Sequence, residues 1–223
     1  GVAFLGGVGA DLPESLMKMI REETMKVRMN LRLSQKLTGS ESENLLVEVT
    51  AIDEPETRRE VLEKEGWIIA ERKEGTNGVI YRYDRAQLRR FPALMEPMSL
   101  SWDAGKKAFR GRVTKTFPEK FVNWYESLPE GIDKEVDEHL GSLMADPIKA
   151  SVTFDIVASE IDWFDLKIVV NVEGLNLSTQ EIKALVAARG GFVRMKDGTW
   201  LRLEIDLTEQ QTEAVNRLGL DPF

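Results

Sequence analysis

Arg82, Arg85, Arg89 and Arg90, then Lys106, Lys107, Arg110 and Arg112, put eight cations into one short stretch, with Tyr81, Tyr83, Trp102 and Phe109 interleaved. Cations at this density can neutralise the phosphates of a nucleic acid backbone. They equally suit a basic face that pairs with acidic segments of the same chain or with a neighbouring domain, and the sequence leaves both uses open. A second grouping is Asp155, Asp162 and Asp165. Paired carboxylates can divide acid and base roles when their environments separate their pKa values, which would make a carboxylate-based hydrolase. Asp162 and Asp165 also flank Trp163-Phe164 as turn formers at the entry of a strand, and this reading is preferred.

Other chemistries find no residues to carry them. His139 is the only histidine and cysteine is absent, so a His-rich metal site, a thiolate site and a full serine or cysteine triad are excluded. A nucleotide-binding Gly-x-x-x-x-Gly-Lys-Ser/Thr loop is missing: Gly6, Gly7 and Gly9 lack the lysine, and Gly105-Lys106 lacks the upstream glycine. Val136-Asp137-Glu138-His139 resembles a helicase metal-and-water motif by letter only. That motif follows an apolar strand, whereas Gly131-Ile132-Asp133-Lys134-Glu135 is charged, so a solvated helix is expected there. No catalytic residue, cofactor or metal is therefore assigned to this chain.

The chain has 223 residues, 42% of them hydrophobic, enough for one large domain or two small ones. The net charge of −8 argues against a protein that coats nucleic acid indiscriminately, but the charge is segregated. Residues 81–120 carry ten Lys and Arg against four Asp and Glu, a basic block between acidic flanks. No apolar run reaches the ~20 residues of a membrane-spanning helix. The lack of cysteine fits a reducing compartment, and a cytoplasmic location is expected. Gly1 in place of an initiating methionine, and Leu218 to Phe223 reading as a helix end entering a linker, suggest a piece of a longer polypeptide.

Hydrophobic periodicity supplies the elements that must position these groups. Leu12, Leu16, Met19 and Ile20 predict a helix from 12 to about 24 capped by Asp11, with Met17, Met19, Met25 and Met29 mostly used in the core. Residues 27–33 alternate as a strand and 45–52 form a second, joined by a polar loop from Thr38 to Glu43. Residues 53–64 read as a loop and a solvated helix. Strands at 67–72 and 78–83 are expected to form a hairpin. Asp84 should cap a short helix bearing Leu88 and Phe91, which Pro92 limits. A further hairpin joins 99–102 to 108–113. Thr116 and Glu119 form a capping box for a helix with Phe117, Phe121, Trp124, Tyr125 and Leu128 on one face, and a second helix spans 133–144.

The stretch from 148 to 204 is the clearest. Ile148 to Val157 and Leu166 to Val172 predict two strands, and Ser178-Thr179-Gln180-Glu181 is a capping box opening a helix that Gly190 and Gly191 can end. Phe192 to Lys196 and Thr199 to Glu204 flank Asp197-Gly198, a pair suited to a type I′ hairpin turn. Thr208 and Gln211 are expected to cap a last helix carrying Ala214, Val215 and Leu218.

Asp162-Trp163-Phe164-Asp165-Leu166-Lys167, together with the hairpin from Phe192 to Trp200, resembles the accessory region that precedes the motor in bacterial Swi/Snf-type (sucrose non-fermenting type) DNA-dependent ATPases, often described as helicases. Residues 98–147 fit the same layout more loosely, and residues 1–97 match only in rhythm. The resemblance implies a noncatalytic region that positions or regulates an ATPase motor domain in the same polypeptide, with duplex DNA a further partner. ATP and Mg would then belong to that motor. A free-standing protein-binding scaffold is the alternative. The expected fold is α+β, with mixed, mostly antiparallel sheets and packed helices, divided into a β-rich part, 1–115, and a helical plus ββαββα part, 116–223.

Overall fold

The computed structural model describes residues 17–34, 43–54, 56–73, 79–158, 164–172, 177–206 and 213. The fold is α+β with mostly antiparallel sheets. Two compact units divide the chain: Gly1–Arg112 with Ser127–Glu135, and Val113–Glu126 with Val136–Phe223. The expected helix from 12 to 24, the 38–43 loop and the last helix fall wholly or partly outside the described residues.

In the first unit, β1 (Ile20–Thr24) runs parallel to β6 (Ile80–Asp84) as a separate two-stranded sheet. A seven-stranded sheet has the order β5 (Gly66–Arg72), β4 (Arg58–Glu63), β3 (Asn44–Ile52), β2 (Lys26–Leu33), β9 (Asp133–Val136), with the hairpin β7 (Ser101–Asp103) and β8 (Ala108–Arg112) added on β3. β3 can serve two strands on one edge because Asn44 to Val47 pair with β8 while Thr50 to Ile52 pair with β4. Alternation gives the sheet two faces. Val27, Met29 and Leu31 lie in register with Ala51, Val49 and Val47, and all six are buried. Arg28, Asn30 and Arg32 occupy the other face.

Five expectations are corrected here. The predicted helix does not continue past residue 19, because Ile20–Thr24 is a strand held by a partner sixty residues later. Met25 and Met29 are core residues, whereas Met17 and Met19 are exposed. The charged segment expected as a solvated helix contains β4, and its Glu60 is fully buried. β6 does not return on β5 as a hairpin but pairs with β1. The 133–144 helix is instead β9 followed by the short α3 (Glu138–Gly141), capped by Asp137.

α1 (Ala86–Met95) packs Leu88, Phe91 and Met95 inward. Pro92 lies inside it instead of ending it. Proline lacks the N–H that would bond the carbonyl four residues back, that of Leu88. The Leu88 carbonyl accepts the Trp67 indole N–H at 2.8 Å instead, and Trp67 packs edge-on against Phe91. The orphaned acceptor thus ties α1 to β5.

In the second unit, β10 (Ile148–Ala158) lies between β11 (Phe164–Val172), antiparallel to it, and β14 (Leu203–Asp206), parallel to it. α2 (Phe117–Ser127) buries Phe117, Phe121 and Trp124. α4 (Thr179–Ala187) starts with the anticipated capping box: the Ser178 hydroxyl accepts from the Glu181 amide, and the Glu181 carboxylate accepts from the Ser178 amide at 2.9 Å. Leu185, Ala150, Met195 and Leu203 form its core. β12 (Val193–Arg194) and β13 (Trp200–Leu201) form the expected hairpin, but its turn is longer than predicted. Met195 and Gly198 close a turn, Met195 also bonds Thr199, and Gly198 at φ +93° supplies the loop's one left-handed residue, so this is a three-residue loop and not a type I′ turn. The strand expected over 199–204 splits at Arg202, its second part joining β10.

Ser178→Ala should lower the stability of this unit by about 1 kcal/mol, measured by urea melts. Hydrogen bonds from Ser178 hold the Glu181 carboxyl below its ordinary range. That part of the capping energy is present above the unfolded pKa and fades as pH falls through the lower folded value, so wild type and Ser178→Ala should converge in acid. Equal midpoints at neutral pH would refute the cap's contribution.

Candidate nucleic-acid interface

The structure does not gather the eight predicted cations into one patch. Arg85 stands at the start of α1 and is committed to the protein: its guanidinium donates to both oxygens of Glu60, at 2.6 and 2.5 Å. Glu60 lies on the buried face of β4, in register with Ala51, so Arg85 joins the helix to the sheet. Arg82 pairs with Glu22 across the parallel β1–β6 ladder at 3.5 Å, in an exposed position. Arg110 pairs with Asp103 at 3.5 Å.

Arg89, Arg90, Lys106, Lys107 and Arg112 are exposed, and no carboxylate among the described residues pairs with them. They lie in different places. Arg89 and Arg90 are on α1, which covers the apolar face of the sheet. Arg110 and Arg112 are in register with Leu46 and Asn44, on the opposite face that also carries Arg28 and Arg32. Arg28 is met there by Asp133 at 2.8 Å, and Arg32 by Glu48 at 2.5 Å. Lys106 and Lys107 sit on the β7–β8 turn, where Lys107 has φ +49°.

Two clefts flank β6. One, of about 470 Å³, runs from β1 to the start of α1 and is lined by Glu22, Glu23, Arg82, Asp84, Arg85 and Arg89, so the charges of its described lining balance. The other, of about 250 Å³, is lined by Thr57, Arg58, Arg72, Lys73, Tyr81 and Tyr83, beside Val79 and Ile80, and no carboxylate among the described residues lines it. Sequence reasoning missed it, because its cations come from β4 and β5 and its rings from β6.

Behind the second cleft lies a buried polar network. Asp53 accepts from the Thr57 hydroxyl at 2.5 Å, the Arg58 amide at 2.8 Å and the Tyr83 hydroxyl at 3.2 Å. Burial, followed by the nearby Asp53 charge, raises the Tyr83 pKa, although a Thr57 hydrogen bond opposes the shift. Tyr83 therefore stays a neutral donor at physiological pH. The Arg58 guanidinium bonds Glu60 at 2.7 Å and stacks over the Tyr83 ring at 4.9 Å.

Of the three aspartates weighed for carboxylate chemistry, Asp162 lies outside the described residues. The β10–β11 register sets Asp155 opposite Lys167 and Asp165 opposite Val157. No group of three or more metal-binding side chains occurs among the described residues, and no helix there is long and apolar enough to cross a membrane. No protein-family model, curated protein or solved structure matches the chain.

Proposed function

We propose that this chain is a noncatalytic accessory region of a bacterial, cytoplasmic Swi/Snf-type DNA-dependent ATPase, where it positions or regulates the motor domain and touches the backbone of duplex DNA. The observation that carries the DNA contact is the set Arg89, Arg90, Lys106, Lys107 and Arg112, exposed and without a carboxylate partner among the described residues of a net acidic chain. The resemblance over 162–167 and 192–200 supports the choice of motor. ATP and Mg would act in that motor, so the chain alone should hydrolyse no ATP with or without DNA, and turnover that survives purification would overturn the reading.

The decisive comparison joins the chain to a Swi/Snf-type motor and changes Arg89, Lys106, Lys107 and Arg112 to alanine. Each of these cations that meets a phosphate should flatten the log-log salt slope by roughly 0.9 when it is lost. An unchanged slope with lost motor docking would identify these residues as an interdomain surface instead.

A further inference from the structure

Arg58 and Arg72 occupy directly opposed positions of the β4–β5 ladder, with Lys73 following. Like charges placed directly opposite each other across an antiparallel pair repel. Glu60 answers Arg58, but it also answers Arg85, and Asp53 is already held by three donors. Glu71, the acid next to Arg72, pairs with Arg59 at 3.6 Å from the adjoining ladder position, whose side chains point to the other face. No carboxylate among the described residues pairs with Arg72 or Lys73. Among the described residues no carboxylate lines the cleft in front of them, which thus combines positive charge with two aromatic rings, whose centroids lie 6.3 Å apart. Arg58 already covers one face of Tyr83.

We infer that this cleft binds the phosphate group of a nucleotide, with Arg72 and Lys73 holding the phosphate and Tyr81 taking the base. An anion there would relieve the Arg58–Arg72 repulsion, and bases of any identity can stack on a tyrosine ring. About 250 Å³ suits a single nucleotide unit and not a large cofactor. The site shares no cation with the basic block of residues 81–120, so it goes beyond the accessory-region reading and stands or falls separately.

The chain has three tyrosines, and Tyr125 belongs to the second unit, so carbon-13 tyrosine labelling gives two reporters at the cleft and one internal control. Titration with thymidine 5′-monophosphate should shift the Tyr81 and Tyr83 ring signals saturably and leave Tyr125 fixed, while thymidine should shift none. Arg72→Gln with Lys73→Gln, two exposed changes, should weaken this binding at least tenfold with an unchanged melting temperature. Tyr81→Leu should weaken the nucleotide and leave inorganic phosphate unaffected. A 5′-phosphorylated oligothymidylate bound tenfold more tightly than the mononucleotide would identify a nucleic acid strand as the source; equal affinity would identify free nucleotide. Unmoved Tyr81 and Tyr83 signals, an equal response to thymidine, or full binding by the double glutamine variant would each overturn the inference. Nucleotide binding that persists in a chain that fails to affect any motor would sink the accessory reading and keep this one.

Discussion

Glu60→Gln is expected to destabilise the first unit by about 3 kcal/mol, because removing one partner of a buried ion pair leaves its counterions uncompensated. Its side chain is 1% exposed, and both Arg58 and Arg85 point at it. The amide keeps the shape but removes the charge that lets two guanidinium groups approach each other. Urea melts followed by Trp67 fluorescence would measure the loss, since Trp67 packs on the helix that Arg85 anchors. The double change Glu60→Met with Arg85→Met should recover part of it, as well-packed apolar replacements of buried ion pairs often do. Equal midpoints for wild type and Glu60→Gln would show that the triad contributes no net stability.

Gly198→Val should cost the second unit about 3 kcal/mol, near the top of the range for a residue forced into a sparsely populated backbone conformation. Gly198 sits at φ +93°, and a β-carbon built there would lie 3.3 Å from two atoms of the His139 ring. The ring cannot retreat freely, because the adjoining turn is fixed: the Ser142 hydroxyl donates to the His139 carbonyl and accepts from the Trp200 amide at 2.8 Å. Gly198→Asn, which tolerates left-handed backbone, separates the two causes by retaining only the crowding. A valine variant as stable as wild type would refute this account of the turn.

What the sequence revealed depended on whether a residue's partner was near it in the chain. The β2 and β3 alternation, the Ser178 cap and the β7–β8 hairpin are local patterns, and all three were readable. β4 was hidden because Arg58, Arg59, Glu60 and Glu63 suggest a solvated segment, and only the distant Arg85 makes a buried Glu60 tolerable. β1 was hidden because its partner follows sixty residues later. Pro92 misled for the same reason, since the Trp67 indole that satisfies Leu88 lies twenty-one residues away. The basic block was visible as composition, but composition does not say which cations already have partners. The Arg58, Arg72 and Tyr81 cleft was invisible because it takes residues from three strands, and β6 belongs to a different sheet from β4 and β5.

The return of Ser127–Glu135 to the first unit has a consequence for how the protein is made. Leu128 and Ile132 are buried there, and β9 supplies the strand that covers the β2 edge. When the nascent chain has emerged only to Arg112, that edge still offers unpaired backbone groups. The first unit therefore cannot complete its fold before residues beyond 130 leave the ribosome, by which time α2, a part of the second unit, has already been synthesised. Slow translation between 112 and 135 would prolong the exposure of an open sheet edge and favour aggregation, so codon choice in that interval should affect soluble yield more than codon choice elsewhere.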